Sequence, residues 1–192
     1  MFDEVQTFGR TGHFFAAQYY NVDPNIIVVA KGISGIGVPA AGALLLEKKF
    51  ALLNQGERSL TWGSNNLTCA AIETTIRVMS APNFWESTRE AGHVLNLELR
   101  KLERKYPFIG AVRGTGLMTG LEIVVSKDSK IPNNKLARKI INCAMKNKLI
   151  VRLSEYGHGS FVKVRPPLII SSSEVRSLCN LLDYSISQAI QQ

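Results

Sequence analysis

Lys31 follows directly on the run Ile26-Ile27-Val28-Val29-Ala30 and precedes Gly32-Ile33-Ser34-Gly35-Ile36-Gly37. A continuous apolar run of this length, rich in β-branched residues, has the character of a strand buried on both faces. A lysine at that place leaves the carboxyl end of a strand, where open α/β sheets bind ligands. Desolvated there, or set beside another cation, its amine is neutral and nucleophilic, which is what forming a Schiff base with an aldehyde requires. The second group of interest is Asp3, in the opening Asp3-Glu4-Val5-Gln6. An aspartate at the end of a neighbouring strand would hold a pyridinium nitrogen protonated by ion pairing. Position alone leaves the plainer alternatives open, a solvated lysine after a strand and an acidic pair that is merely solvated or capping.

The elements that must position these groups are read from apolar periodicity and breakers. Besides the strand at 26–30, Ala41-Gly42-Ala43-Leu44-Leu45-Leu46 is a more ambiguous strand, with a glycine-rich loop between the two. From Asn66 the spacing of Leu67, Ala70, Ala71, Thr74 and Val78 predicts a helix, and after Ala81-Pro82 a long amphipathic helix is predicted over 84–105. Strands are expected at 108–112 and 117–125 around an Arg113-Gly114-Thr115-Gly116 turn, then a helix at 134–147, strands at 149–153 and 161–164, and a final helix at 173–190 opened by serines and Glu174. The fold class is therefore α/β: a slice of a parallel or mixed sheet over residues 1–80, then a small α+β domain over 81–192, with the boundary near Ala81. Two recognisable strands cannot complete a buried parallel sheet, so the chain is expected to start in the middle of a larger domain.

The 192 residues are 45% hydrophobic and 20% charged, an ordinary globular composition that sets aside disordered and fibrous classes. No apolar run reaches the length of a membrane helix and no leader-like segment opens the chain, so a cytoplasmic protein without membrane association is expected. Cys69, Cys143 and Cys179 stand far apart inside helical patterns, and read as reduced core thiols; no metal site is expected. The net charge of +8 raises a nucleic-acid partner, but the cations are dispersed and the densest stretch, Arg100 to Lys105, mixes in acid and suits the end of a helix. No nucleic-acid partner is expected, and anionic small molecules are favoured instead.

Several ordered motifs closely resemble the signature of class III aminotransferases, the fold type I group that contains ornithine, acetylornithine and 4-aminobutyrate aminotransferases. They are Asp-Glu-Val-Gln-Thr-Phe-Gly-Arg-Thr-Gly at 3–12, Asp23-Pro24-Asn25-Ile26-Ile27, Ala30-Lys31-Gly32 with Pro39 beyond, Thr61-Trp62-Gly63-Ser64-Asn65-Asn66, Arg113-Gly114-Thr115-Gly116-Leu117-Met118, and Pro166-Pro167-Leu168. The resemblance implies a carboxy-terminal portion of such an enzyme, with pyridoxal 5'-phosphate as cofactor. It implies transfer of an amino group from an amine or ω-amino acid to a 2-oxoacid. Lys31 would carry the Schiff base and shuttle the proton, Asp3 would pair with the pyridine nitrogen, and Gln6 would lie near the phenolic oxygen. Thr61 would reach the phosphate of the cofactor in a partner subunit of a homodimer, with the alternative that it caps the helix beginning near Asn65.

Departures from the family pattern bear on these expectations. Members are about twice as long, and their phosphate-cradling glycine loop and ring-stacking aromatic precede the aspartate. One glycine is missing between Thr7 and Phe8, and Gly35-Ile36-Gly37 stands in place of two adjacent glycines. The arginine usually placed three residues before the double proline, which clamps a substrate carboxylate, is Lys163, a point charge without the fork; Arg165 shares its strand face by period and could replace it. The sequence does not separate transamination from racemase, decarboxylase or lyase chemistry. An alternative function is a non-catalytic fragment or split-enzyme subunit that acts only by pairing with an amino-terminal partner, and it predicts large apolar exposure.

Overall fold

The computed structural model describes residues 1–35, 37–46, 61–154 and 159–191. The chain divides into two compact units, Met1–Glu86 and Ser87–Gln192.

The first unit is built on a three-stranded sheet in the order β1 (Phe2–Asp3), β2 (Ile26–Ala30), β3 (Ala41–Leu45). Four β-branched residues give β2 its extended preference, and Ile27 and Val29 bury one of its faces. β1 runs parallel to β2 in the register Phe2 to Ile27 and Asp3 to Val28, while β3 is antiparallel to β2, so the sheet is mixed. A loop containing the short helix α1 (Ala16–Tyr19) joins β1 to β2, and a 3-10 turn over Lys31–Ser34 leaves β2. Helix α2 (Asn66–Met79) is capped by Asn65, whose side-chain oxygen accepts the Thr68 N–H at 2.9 Å. Every residue of β3 is exposed, so its apolar character does not reflect burial within this chain.

In the second unit most of helix α3 (Phe84–Lys105), with α4 (Asn134–Lys146) and α5 (Ser172–Gln191), accompanies an antiparallel sheet in the order β4 (Ile109–Thr115), β5 (Met118–Ile123), β7 (Phe161–Val164), β6 (Arg152–Ser154). Leu95, Leu99 and Leu102 recur at four- and three-residue intervals on α3, and Val175, Cys179, Leu182 and Ile186 do so on α5. These stripes join Ile140, Leu121 and Val162 in one apolar core. Lys105 and Tyr106 anchor the end of α3 to α5 through Asp183, at 2.6 Å from the ammonium and 2.7 Å from the phenol.

Several expectations from the sequence are corrected. The β4–β5 turn is Gly116-Leu117 rather than Arg113 to Gly116: Thr115 pairs with Met118, and Arg113 stays in the strand, its Nε and Nη2 both donating to Glu122 Oε2 across the ladder. The strand expected at 149–153 reduces to Arg152–Ser154; Leu149 and Val151 are buried by packing while the chain leaves α4. Cys69 is exposed, and only Cys143 and Cys179 are core thiols. Ile36, part of the altered glycine segment, lies outside the described residues.

Candidate active site

Asp3 ends β1, and Lys31 is the first residue beyond the adjacent parallel β2. Both groups therefore stand at the carboxyl ends of neighbouring parallel strands, the edge at which open α/β sheets take ligands. Lys31 adopts φ +52°, a left-handed conformation uncommon for a residue with a Cβ. Among the described residues five other non-glycine residues share that conformation, so strain alone does not single Lys31 out. Its position does: Ala30 is extended, and the left-handed residue turns the chain abruptly off the strand into the 3-10 turn. The lysine is exposed and lines a cleft of about 480 Å³ together with Ser34, Gly35, Gly37 and Pro39. Ser34, buried, holds the turn by donating from its hydroxyl to the carbonyl of Val38.

The Asp3 carboxylate is exposed, and its Oδ1 accepts the Val5 N–H at 3.0 Å. Gln6, three residues after Asp3, is exposed. Between Asp3 and Gln6, Glu4 is buried, with its carboxylate on the amides of Ala16 and Ala17. That group escaped the sequence reading, because the two amides that hold it lie twelve and thirteen residues away.

Thr61 is exposed in the turn before α2. The cap of α2 is Asn65, which also donates to the Trp62 carbonyl at 3.0 Å, so the alternative reading of Thr61 as that cap does not hold.

In the second unit Lys163 lies on β7 directly opposite Gly120 of β5 and Arg152 of β6. Residues paired across an antiparallel ladder share a face, and Arg113 is opposite Gly120 in turn, so one row of the sheet carries three cations. This row alternates with the buried row containing Val112, Leu121 and Val162 and points away from the core. Arg165 follows the end of β7, and burial pushes its guanidinium below the usual arginine range. Alternation alone does not place Arg152 beside Lys163; the antiparallel pairing of β6 with β7 does.

A carboxylate and a primary amine at adjacent strand ends fit the ring nitrogen and aldehyde of pyridoxal phosphate. Among the described residues no group of three or more His, Cys, Asp and Glu side chains is placed to hold a metal ion. No described helix is long and apolar enough to cross a membrane.

Comparison with known proteins places these features in context. The model of the family "Aminotransferase class-III" matches residues 1–186. The chain is 31% identical to an alanine/serine racemase of Pyrococcus horikoshii, over 98% of this chain and 39% of that protein. It is 34% identical to the acetylornithine aminotransferase of Prochlorococcus marinus, over 95% of this chain and 42% of that one. Its fold superimposes on the crystal structure of a Bacillus anthracis aminotransferase with a TM-score of 0.87 and 30% identity, covering 97% of this chain and 44% of the other. The chain thus spans roughly two-fifths of the length of these relatives.

Proposed function

The chain belongs to the class-III aminotransferases, a pyridoxal-phosphate-dependent family, and on that footing we propose that it contributes Lys31 and Asp3 to a site that moves an amino group from an amine or ω-amino acid to a 2-oxoacid. The observation that carries the proposal is the parallel register of β1 with β2, which sets a carboxylate and an amine at neighbouring strand ends. When bound, the cofactor supplies an aldehyde carbon for amine chemistry and an electron-withdrawing ring. Lys31 is the attachment residue and proton carrier. Asp3 keeps the ring nitrogen protonated, and Gln6 orients the ring through its phenolic oxygen. Thr61 is assigned to the phosphate held by a partner subunit in a homodimer.

Lys163 and Arg165 are assigned to the anionic group of the substrate, with Arg152 adding charge opposite Lys163. Residues 1–80 are assigned to the large cofactor-binding domain and 81–192 to the small one. Three unpaired thiols suit a reducing, cytoplasmic compartment.

A second reading, that the chain acts only when paired with an amino-terminal partner polypeptide, is favoured by apolar exposure in the first unit. Trp62 is 82% and Leu67 69% exposed, and β3 shows no buried residue. Such a surface suits burial against another polypeptide.

The test is to incubate the purified chain with pyridoxal phosphate, reduce with borohydride, and locate the phosphopyridoxyl group by peptide mass, with Lys31→Ala as control. Stoichiometric label at Lys31 that vanishes in the control is expected. Label scattered over surface lysines would reject the site in this chain alone and favour the second reading.

A further inference from the structure

Glu4 is only 1% exposed, and nothing in the proposed chemistry uses it. Its Oε1 accepts the Ala17 N–H at 2.9 Å, and its Oε2 accepts the Ala16 N–H at 3.0 Å and the Thr7 hydroxyl. The main chain of Glu4 is tied as firmly: its N–H donates to the Val28 carbonyl at 2.8 Å, and its carbonyl accepts from Phe8 at 3.1 Å. A buried carboxylate is costly unless its oxygens are satisfied, and hydrogen bonds to a charged group are among the stronger ones in a protein. This one residue therefore fastens β1 to β2, closes the turn at Thr7 and Phe8, and fixes the start of α1.

The fastened peptide is also the one that holds Asp3. Asp3 Oδ1 accepts from the N–H of Val5, which directly follows Glu4. That bond is exposed and spans two residues, so its geometry depends on the backbone between them.

We propose that Glu4 is a positioning residue: its buried carboxylate holds the peptide between residues 4 and 5, whose N–H orients the Asp3 carboxylate. The inference deepens the reading of Asp3 as partner of the ring nitrogen, and rests on it for its consequence in the reaction.

Amide hydrogen exchange in the cofactor-free chain tests it, with Glu4→Gln and Glu4→Asp beside the parent. Loss of charge-assisted bonds should accelerate exchange at Ala16, Ala17 and also Val5 by about tenfold or more in Glu4→Gln, with partial recovery in Glu4→Asp. In protein carrying pyridoxal phosphate, the pH at which the visible absorbance changes should move in the same variant. Acceleration confined to Ala16 and Ala17, with Val5 and the spectrum as in the parent, would reduce Glu4 to loop closure and overturn the proposal. If Glu4→Gln does not fold, Glu4→Asp decides, because it keeps the charge and shortens the reach to the amides of Ala16 and Ala17: faster exchange at those amides with Val5 as in the parent overturns the proposal, and faster exchange at Val5 as well supports it. Borohydride labelling of the parent at Lys31 reports separately on the functional reading. Its failure alongside coupled Val5 exchange would remove the reaction and leave the positioning contact standing.

Discussion

Gly92 of α3 faces Gly116 of the β4–β5 turn so closely that a Cβ on Gly92 would lie 2.8 Å from the Gly116 Cα. Ordinarily Gly→Ala inside a helix stabilises by up to about 1 kcal/mol. Here the added methyl meets backbone, which cannot swing aside as a flexible side chain would. Gly92→Ala should therefore destabilise the protein by about 1–3 kcal/mol. Urea unfolding of the variant against the parent gives the sign directly, and a gain in stability would contradict the close approach.

Asp3→Asn removes the charge at the end of β1 while keeping the shape of the side chain and an acceptor for the Val5 N–H. Hydrogen bonds to charged groups contribute about 1.5–3 kcal/mol, which corresponds to pyridoxal phosphate binding weaker by about 10- to 150-fold. Equilibrium dialysis is the measurement. An unchanged affinity would mean that the carboxylate is not the partner of the ring nitrogen.

How far the sequence disclosed this arrangement follows from where the determinants lie. β2 was legible because its β-branched run is local, and α3 and α5 because their leucines and other apolar residues repeat at helical spacing. The turn in the second unit was misplaced because Gly114 and Gly116 both look like turn residues. The side chain of Arg113 reaches Glu122 across the strands and keeps its own residue in the ladder, leaving Gly116-Leu117 as a two-residue hairpin. Helix α1 escaped notice because four residues carry no periodic signal and the clamp from Glu4 is tertiary. The apolar pattern of α2 suggests a core position for Cys69, yet of that helix only Met79 is buried in this chain.

The cationic row on the second sheet leads to a prediction about substrate affinity. Lys163 and Arg152 are directly opposed, an arrangement of like charges that is unfavourable on its own and is relieved by an anion. Lys163→Ala should weaken binding of a dicarboxylate probe such as glutarate by about tenfold or more, while Lys163→Arg should bind at least as well as the parent because its fork matches a carboxylate. Calorimetric titration of both variants distinguishes this from a solvated row, for which neither substitution would alter affinity.

Alkaline pH should loosen the junction of α3 with α5. Burial first, and then the hydrogen bond to Asp183, raises the Tyr106 phenol above its usual value; the bond to Asp183 is also the main cause raising Lys105. For each group the folded value exceeds the unfolded one, so the contribution is fully present below the unfolded value and lost as pH rises through the folded one. The window opens at about pH 10, where these side chains begin to titrate in an unfolded chain. Urea midpoints measured up to and beyond that pH should fall more steeply for the parent than for Tyr106→Phe, and parallel curves would exclude the phenol from the junction.

The thiols should separate into two classes. Cys69 is exposed near the start of α2, whereas Cys143 and Cys179 are buried in the second unit, and burial pushes the Cys179 thiol up to about 12. Because the thiolate is the reactive form, a raised value and lack of access act together against reaction at Cys179. A chromogenic disulfide reagent near pH 8 should consume one thiol rapidly in the folded chain and all three after denaturation, and Cys69→Ser should abolish the rapid phase. The same residue also reports on assembly, because it shares α2 with the exposed side chains of Leu67, Ile76 and Val78. If that surface is covered by a second subunit or an amino-terminal partner, the rapid phase should slow as that assembly forms. A rate at Cys69 that stays constant while the mass measured in solution rises would place the contact elsewhere.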